Sequence, residues 1–129
     1  MKALVATLAL CAAAAASAQH MHGSSAPQRF VASSDKPFAA LMNDAMAIMD
    51  RDMAAAPMNG EPGHDFVTMM LPHHQGAVDM AKAVLLNTRD PELRNLALGI
   101  IAEQQNEINV MRAWLERHPP QTRNQHAHH

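Results

Sequence analysis

Asp90-Pro91-Glu92-Leu93-Arg94 opens the stretch that decides the fold, and Trp114-Leu115-Glu116-Arg117 closes it ahead of His118-Pro119-Pro120. Asp90 is a good helix N-cap, and Pro91 suits the first helical position because its missing N–H is one the helix leaves unpaired anyway. Glu92 sets negative charge at the positive end of the helix dipole. Behind this start, Leu93, Ala97, Ile100, Ile101, Ile108, Met111 and Leu115 recur at helical intervals, a stripe that Gln104 interrupts with a polar group. The pattern predicts a helix to Arg117, ended by the two prolines.

Two more helices follow upstream by the same reasoning. Asp35, with Pro37 behind it, predicts a helix start, and Pro57 stops the pattern after about Ala56. Met42, Met46, Met49 and Met53 repeat at i, i+4, i+7 and i+11, a stripe only ~60° wide at 100° per residue. Phe38 and Ala45 complete that face, and Asp44, Asp50, Arg51 and Asp52 lie opposite or beside it. Pro57-Met58-Asn59-Gly60-Glu61-Pro62-Gly63 forms a turn-rich loop. A second helix is expected from near His64 or Asp65 to about Leu86, kinked by Pro72 in an early turn. Three long helices with short connections predict an all-α, small antiparallel up-down bundle over residues 35–118.

Residues 1–18 read as a secretory signal: Lys2, an apolar run from Ala3 to Ala16, and a cleavage site at Ala16-Ser17-Ala18 that leaves Gln19 first. That run is short and alanine-rich for a retained membrane anchor. Leu10, before Cys11, is larger than the residue a lipoprotein processing site carries. The expected destination is periplasmic or secreted. Residues 19–34, with Gln19-His20-Met21-His22, read as a flexible arm, and residues 119–129, ending His126-Ala127-His128-His129, as a tail. With 10 Lys and Arg against 12 Asp and Glu, nothing resembles a basic nucleic-acid surface. The one cysteine leaves with the leader, which excludes disulfides and thiolate metal sites from the mature chain. One tryptophan, three phenylalanines and no tyrosine leave an aliphatic core, an odd composition for a β-sandwich.

The chemistry lies in methionine and histidine. Thioether and imidazole form a soft-to-borderline ligand set that favours Cu(I), and methionine serves outside the cytosol where thiols oxidise. Within Met69-Met70-Leu71-Pro72-His73-His74, Met69 and His73 share a face with Met80, all within ~40°. Met70 and His74 make a second i, i+4 pair rotated by ~100°. Each pair sets a sulfur one turn from an imidazole, close enough to share an ion. Gln104, Glu107 and Met111 complete the pocket from the third helix, the glutamine accepting a histidine N–H and fixing that ring.

A plainer account also fits: methionine fills irregular cores, one histidine satisfies a core hydrogen bond, and the other is solvated. Against it, all four positions of one stripe are methionine, where the third helix uses leucine and isoleucine. The histidine-containing ends are capture arms or ordinary polar tails, and no histidine stands third in the mature chain to form a square-planar amino-terminal Cu(II) site. Glu61-Pro62-Gly63-His64 matches the Glu-x-x-His of di-iron bundles, but sits in a Pro/Gly loop without inward glutamates from other helices. No activated serine, cysteine or carboxylate pair is arranged for hydrolysis, so the chain is not expected to be an enzyme.

The stretch Asp65-Phe66-x3-Met70-x-Pro72-His73-His74-Gln75-Gly76-Ala77-Val78-x-Met80-Ala81 is followed by Pro91-Glu92-Leu93-Arg94, Ala97, Ile100-Ile101, Gln104, Glu107-Ile108, Met111 and Trp114-Leu115. Together they resemble the domain of unknown function 305 family, which includes the CopM-type periplasmic copper-binding proteins. The resemblance covers about residues 38–117. It implies a ferritin-like helical bundle that binds copper, and silver as an alternative, through Met70, His73, His74, Met80 and Met111, faced by Met46 and Met49. Spacing adds Met69 and Met53. Three long helices stand where that fold has four, so the bundle is a short version or a homodimer completes it. The expected function is to sequester Cu(I) or Cu(II), or hand it to a copper exporter or oxidase. The rival is a metal-independent interaction module with a methionine-rich contact face.

Overall fold

The computed structural model describes residues 29–119. These form three helices, α1 (Phe38–Ala54), α2 (Pro62–Asn87) and α3 (Pro91–Arg117), with no strand among the described residues. The protein is an all-α, small helical bundle. The leader, Cys11, the arm's residues 19–28 and the terminal histidines lie outside the described residues.

α3 starts as its sequence predicts. The Asp90 carboxylate accepts N–H bonds from Glu92 at 2.8 Å and Leu93 at 3.2 Å, satisfying two donors that the first turn leaves open. α1 does not start where expected. Asp35 stands in a turn, its N–H bonded to the Ser33 hydroxyl, and Pro37 is the N-cap, with its carbonyl accepting from Ala40 and Leu41. A 2.6 Å ion pair from Lys36 to Asp44 ties the turn to α1. α2 begins at Pro62, because proline can take the first helical position. The Asp65 carboxylate then reaches back to accept N–H bonds from Asn59 and Gly60, and Gly60 supplies the positive φ of 88° that the loop needs. α2 runs on through Pro72 to Asn87 without a break in helical assignment.

α1 and α3 each pack on α2, and not on each other among the described residues. Met49 of α1 meets Gly76 of α2, and His74 of α2 meets Glu107 of α3. Phe38 lies near Thr88, and Val84 near Leu93, so neighbouring helices run antiparallel. α1 buries Leu41, Ala45 and Ile48; Val67, Val78, Ile108 and Met111 form the core between α2 and α3.

The methionine stripe is therefore not the buried line of α1. It lies ~100° around the helix from Leu41, Ala45 and Ile48, and Met46 and Phe38 are 42% and 40% exposed. Compact side chains let α1 sit close on α2, which displaces the longer methionines to its flank. Leu93, expected in the buried stripe of α3, is likewise exposed, while Ile100, Ile101 and Leu115 are half-buried. With α2 as its only helical neighbour among the described residues, α3 has one side to bury there.

Candidate metal centre

His73 and His74 are neighbours in sequence and part company in space, because successive residues on a helix diverge by ~100°. His74 turns into the α2–α3 seam and is buried. Its Nδ1 donates to the Met70 carbonyl at 2.8 Å, and its Nε2 meets the Glu107 carboxylate at 2.5 Å. Both nitrogens are engaged by neighbouring oxygens, so this ring offers no open position to an ion. Glu107, not Gln104, holds the histidine. A carboxylate holds an imidazole N–H more strongly than an amide does, and Glu107 stands next to Ile108 and one turn before Met111.

His73 is exposed. Its ring stands edge-on to that of His74 with centroids 6.0 Å apart, and no hydrogen bond engages it among the described residues. Its nitrogens are open to solvent and to a ligand.

The sulfurs divide into three groups. Met111 is buried in the α2–α3 core, and half-buried Met70 packs against it with Leu71, Trp114 and Leu115. Met80 lines an apolar groove of about 240 Å³ with Val84, Leu93, Leu96 and Ile100. The rest lie towards His73. The Met49 sulfur rests on Gly76, where a methyl group would sit only 2.5 Å from it, so the missing side chain is what admits that sulfur. With Met49 opposite Gly76 in an antiparallel pair, Met53 stands one turn further along, level with Pro72 and His73. Met69 is one turn before His73 on the same side of α2. Met49, Met53 and Met69 are all half-buried, and Met46 is exposed on the same flank of α1.

The nine expected ligands thus do not form one cluster. Met49, Met53, Met69 and His73, with Met46 at the margin, share one open side of the α1–α2 seam. Met70, Met111 and His74 belong to the other seam. Met80 is seven residues past His73, ~10.5 Å along the axis, too far to share an ion with it in one chain. Among the described residues no three His, Cys, Asp or Glu side chains gather into a metal-holding group, so an ion on the α1–α2 side draws on thioether sulfur. One imidazole with two or three thioethers suits Cu(I) and does not suit calcium or magnesium.

Two clefts escaped the sequence reading. At one end of the molecule His64, Trp114, His118, Asn59 and Glu61 line a cleft of about 380 Å³, with the His118 ring stacked on Trp114 at 4.2 Å. The i, i+4 spacing of Trp114 and His118 was its signal. Opposite the methionine side, Asp52, Gln75, Asp79, Lys82 and Arg112 line a polar cleft. Arg29 and Phe30, assigned to the arm, line it too. Asp79 is buried there, bonded to the Gln75 amide at 3.0 Å, with the Lys82 ammonium 3.7 Å away. Burial pushes its carboxyl above the ordinary carboxylate range, against the opposing pull of Gln75 and Lys82. At the start of α2 the balance reverses: the Asn59 N–H first, then Gly60 and His64, hold the Asp65 carboxyl below its ordinary value.

Residues 63–129 match a family model described as a domain of unknown function (DUF305). An uncharacterized protein of Acanthamoeba polyphaga mimivirus is 43% identical over 51 residues, which cover 40% of this chain and 34% of that protein. The chain thus spans about a third of the length of the curated relative it matches. With more than half its length inside the family model, this chain belongs to the DUF305 family.

Proposed function

We propose that this protein binds copper on the open side of the α1–α2 seam, outside the cytosol, to sequester the ion or pass it on. The observation that carries the reading is the Met49 sulfur seated on Gly76, one turn from a histidine whose ring has no hydrogen bond among the described residues. His73 and Met69 supply one side of the site from α2, and Met49 and Met53 the other from α1, with Met46 as an outlying sulfur. His74 with Glu107 braces the helix that presents His73. Silver, equally soft, fits the same ligands. Exchange of thioethers one at a time gives a route to hand the ion to an exporter or oxidase.

Single substitutions separate these roles. His73→Ala is expected to weaken copper binding ~10-fold or more, at least ~1.4 kcal/mol, with folding stability unchanged. His74→Ala removes a buried ring from the α2–α3 seam and lowers stability, measured by chemical denaturation. Equal copper affinity in wild type and His73→Ala contradicts the site. Because thioethers do not titrate, Cu(I) is retained on mild acidification while imidazole-held Cu(II) is released.

The exposed Leu93 and Leu96 beside the Met80 groove favour a second reading, a contact surface for another helix. Copper uptake at the α1–α2 side distinguishes the first reading from a contact role alone.

A further inference from the structure

α2 is apolar on more sides than its neighbours cover. Between the faces given to α1 and α3, a third line, Phe66, Met70, His73, Ala77, Met80 and Val84, with Met70 at its α3 edge, recurs at alternating four- and three-residue steps over more than two heptads. None of the six is fully buried, and Phe66 is 63% exposed. The charged groups of α2, Asp65, Asp79 and Lys82, all fall on other sides of the helix. A regular heptad line is the seam by which one helix grips another.

We infer that a second copy of this chain docks on this seam, α2 against α2, antiparallel about a twofold axis passing at Ala77. About Ala77 the line nearly reads alike from either end. Ala77, the smallest side chain, stands where the helices come closest; Met70 and Val84 lie seven residues to either side of it, His73 four residues before it roughly matches Met80 three residues after, and Phe66 alone has no counterpart. Such a self-complementary patch is what a twofold interface requires. The seam is uncharged, so two copies of net charge −2 meet there without like-charge repulsion. α2 has 26 residues, ~39 Å at 1.5 Å each and ~10 Å across. That is ~390 Å², about half the ~800 Å² per partner of a standard interface, and the exposed Leu93 and Leu96 of α3 widen it, which suits a pairing that dilution undoes.

The pairing also has a consequence for ligands. His73 and Met80, ~10.5 Å apart along one helix, are brought opposite each other when His73 of one protomer faces Met80 of the partner subunit. That ligand role rests on the copper reading; the docking does not.

The test is the sedimentation mass of the full chain. The expected mass is twice the 14.0 kDa of one chain, falling to a single chain on dilution. Ala77→Glu should weaken the pairing ~100-fold or more, with helical circular dichroism unchanged. Phe66→Glu, at a position already exposed, should weaken it in the same direction, which guards against a folding defect at residue 77. A wild type that stays a single chain at its highest soluble concentration overturns the inference, as does an Ala77→Glu chain that stays paired. Cu(I) titration of the same samples separates the two readings. Copper uptake by a wild type that remains a single chain overturns the docking and leaves the copper site standing. A dimer that ignores copper supports the docking and overturns the copper site.

Discussion

At Gly76 the backbone of α2 lies directly under Met49. A methyl group there would stand 2.5 Å from the sulfur, 2.8 Å from Cγ and 2.9 Å from Cβ of Met49, and the last of these moves only with α1 itself. Alanine is ~1 kcal/mol better than glycine in an exposed helix, yet overpacking costs ~1–3 kcal/mol, so the steric effect wins. Gly76→Ala is expected to lower stability in urea denaturation, and Met49→Ala in the same chain to recover part of the loss. A Gly76→Ala chain as stable as wild type would mean that α1 does not sit where the structure places it. The histidines teach a related lesson. Both stand one turn after a methionine, and only their neighbours decide that His74 is engaged by Met70 and Glu107 while His73 stays open.

At the scale of the element, what was legible in the sequence is what is local. Asp90-Pro91-Glu92 marks the start of α3 because cap, proline and acid all act within one turn. Asp35 carries the same chemistry and fails, since Pro37 fixes the entry two residues later. The methionine stripe was visible as a stripe, but which side of α1 is buried depends on α2 offering Gly76 and Ala83 to compact partners. The polar cleft on the other side was not legible at all, because Asp52, Asp79 and Arg112 come from three helices.

That cleft has a pH signature. Asp79 holds its proton more tightly in the folded chain than in the unfolded one, because burial disfavours its charge. The folded state therefore binds more protons between the ordinary carboxylate value and the raised one. Stability from this group is present in acid and is lost as pH rises through that window. Asp79→Asn removes the effect, so the variant should gain on wild type in denaturation experiments as pH rises from about 4 to 7. A difference that stays constant or shrinks with pH contradicts the buried-carboxylate account. Asp65 works in the opposite sense, contributing above the ordinary carboxylate value and weakening as pH falls below it.

As a whole the molecule is a central helix flanked on two sides, with a polar cleft on one open side and sulfur, imidazole and leucine on the other. The three-helix all-α architecture and the family were legible because helical period and the Met-x-Pro-His-His-Gln run are sequence properties. Which of the nine candidate ligands share a side of the molecule was not legible, since helical spacing records angle within one helix and not the register between helices.

The account turns on whether the α1 methionines act through sulfur or only through bulk. Leucine keeps their hydrocarbon volume and removes the thioether, at a cost to packing below ~1.5 kcal/mol per site. The most direct measurement is a Cu(I) competition titration of the full chain against its Met46→Leu/Met49→Leu/Met53→Leu variant, with folding checked on both. The prediction is tight binding by wild type and a loss of ~100-fold or more, ~2.7 kcal/mol, in the variant. Equal affinity in the two chains, or none in wild type, contradicts it.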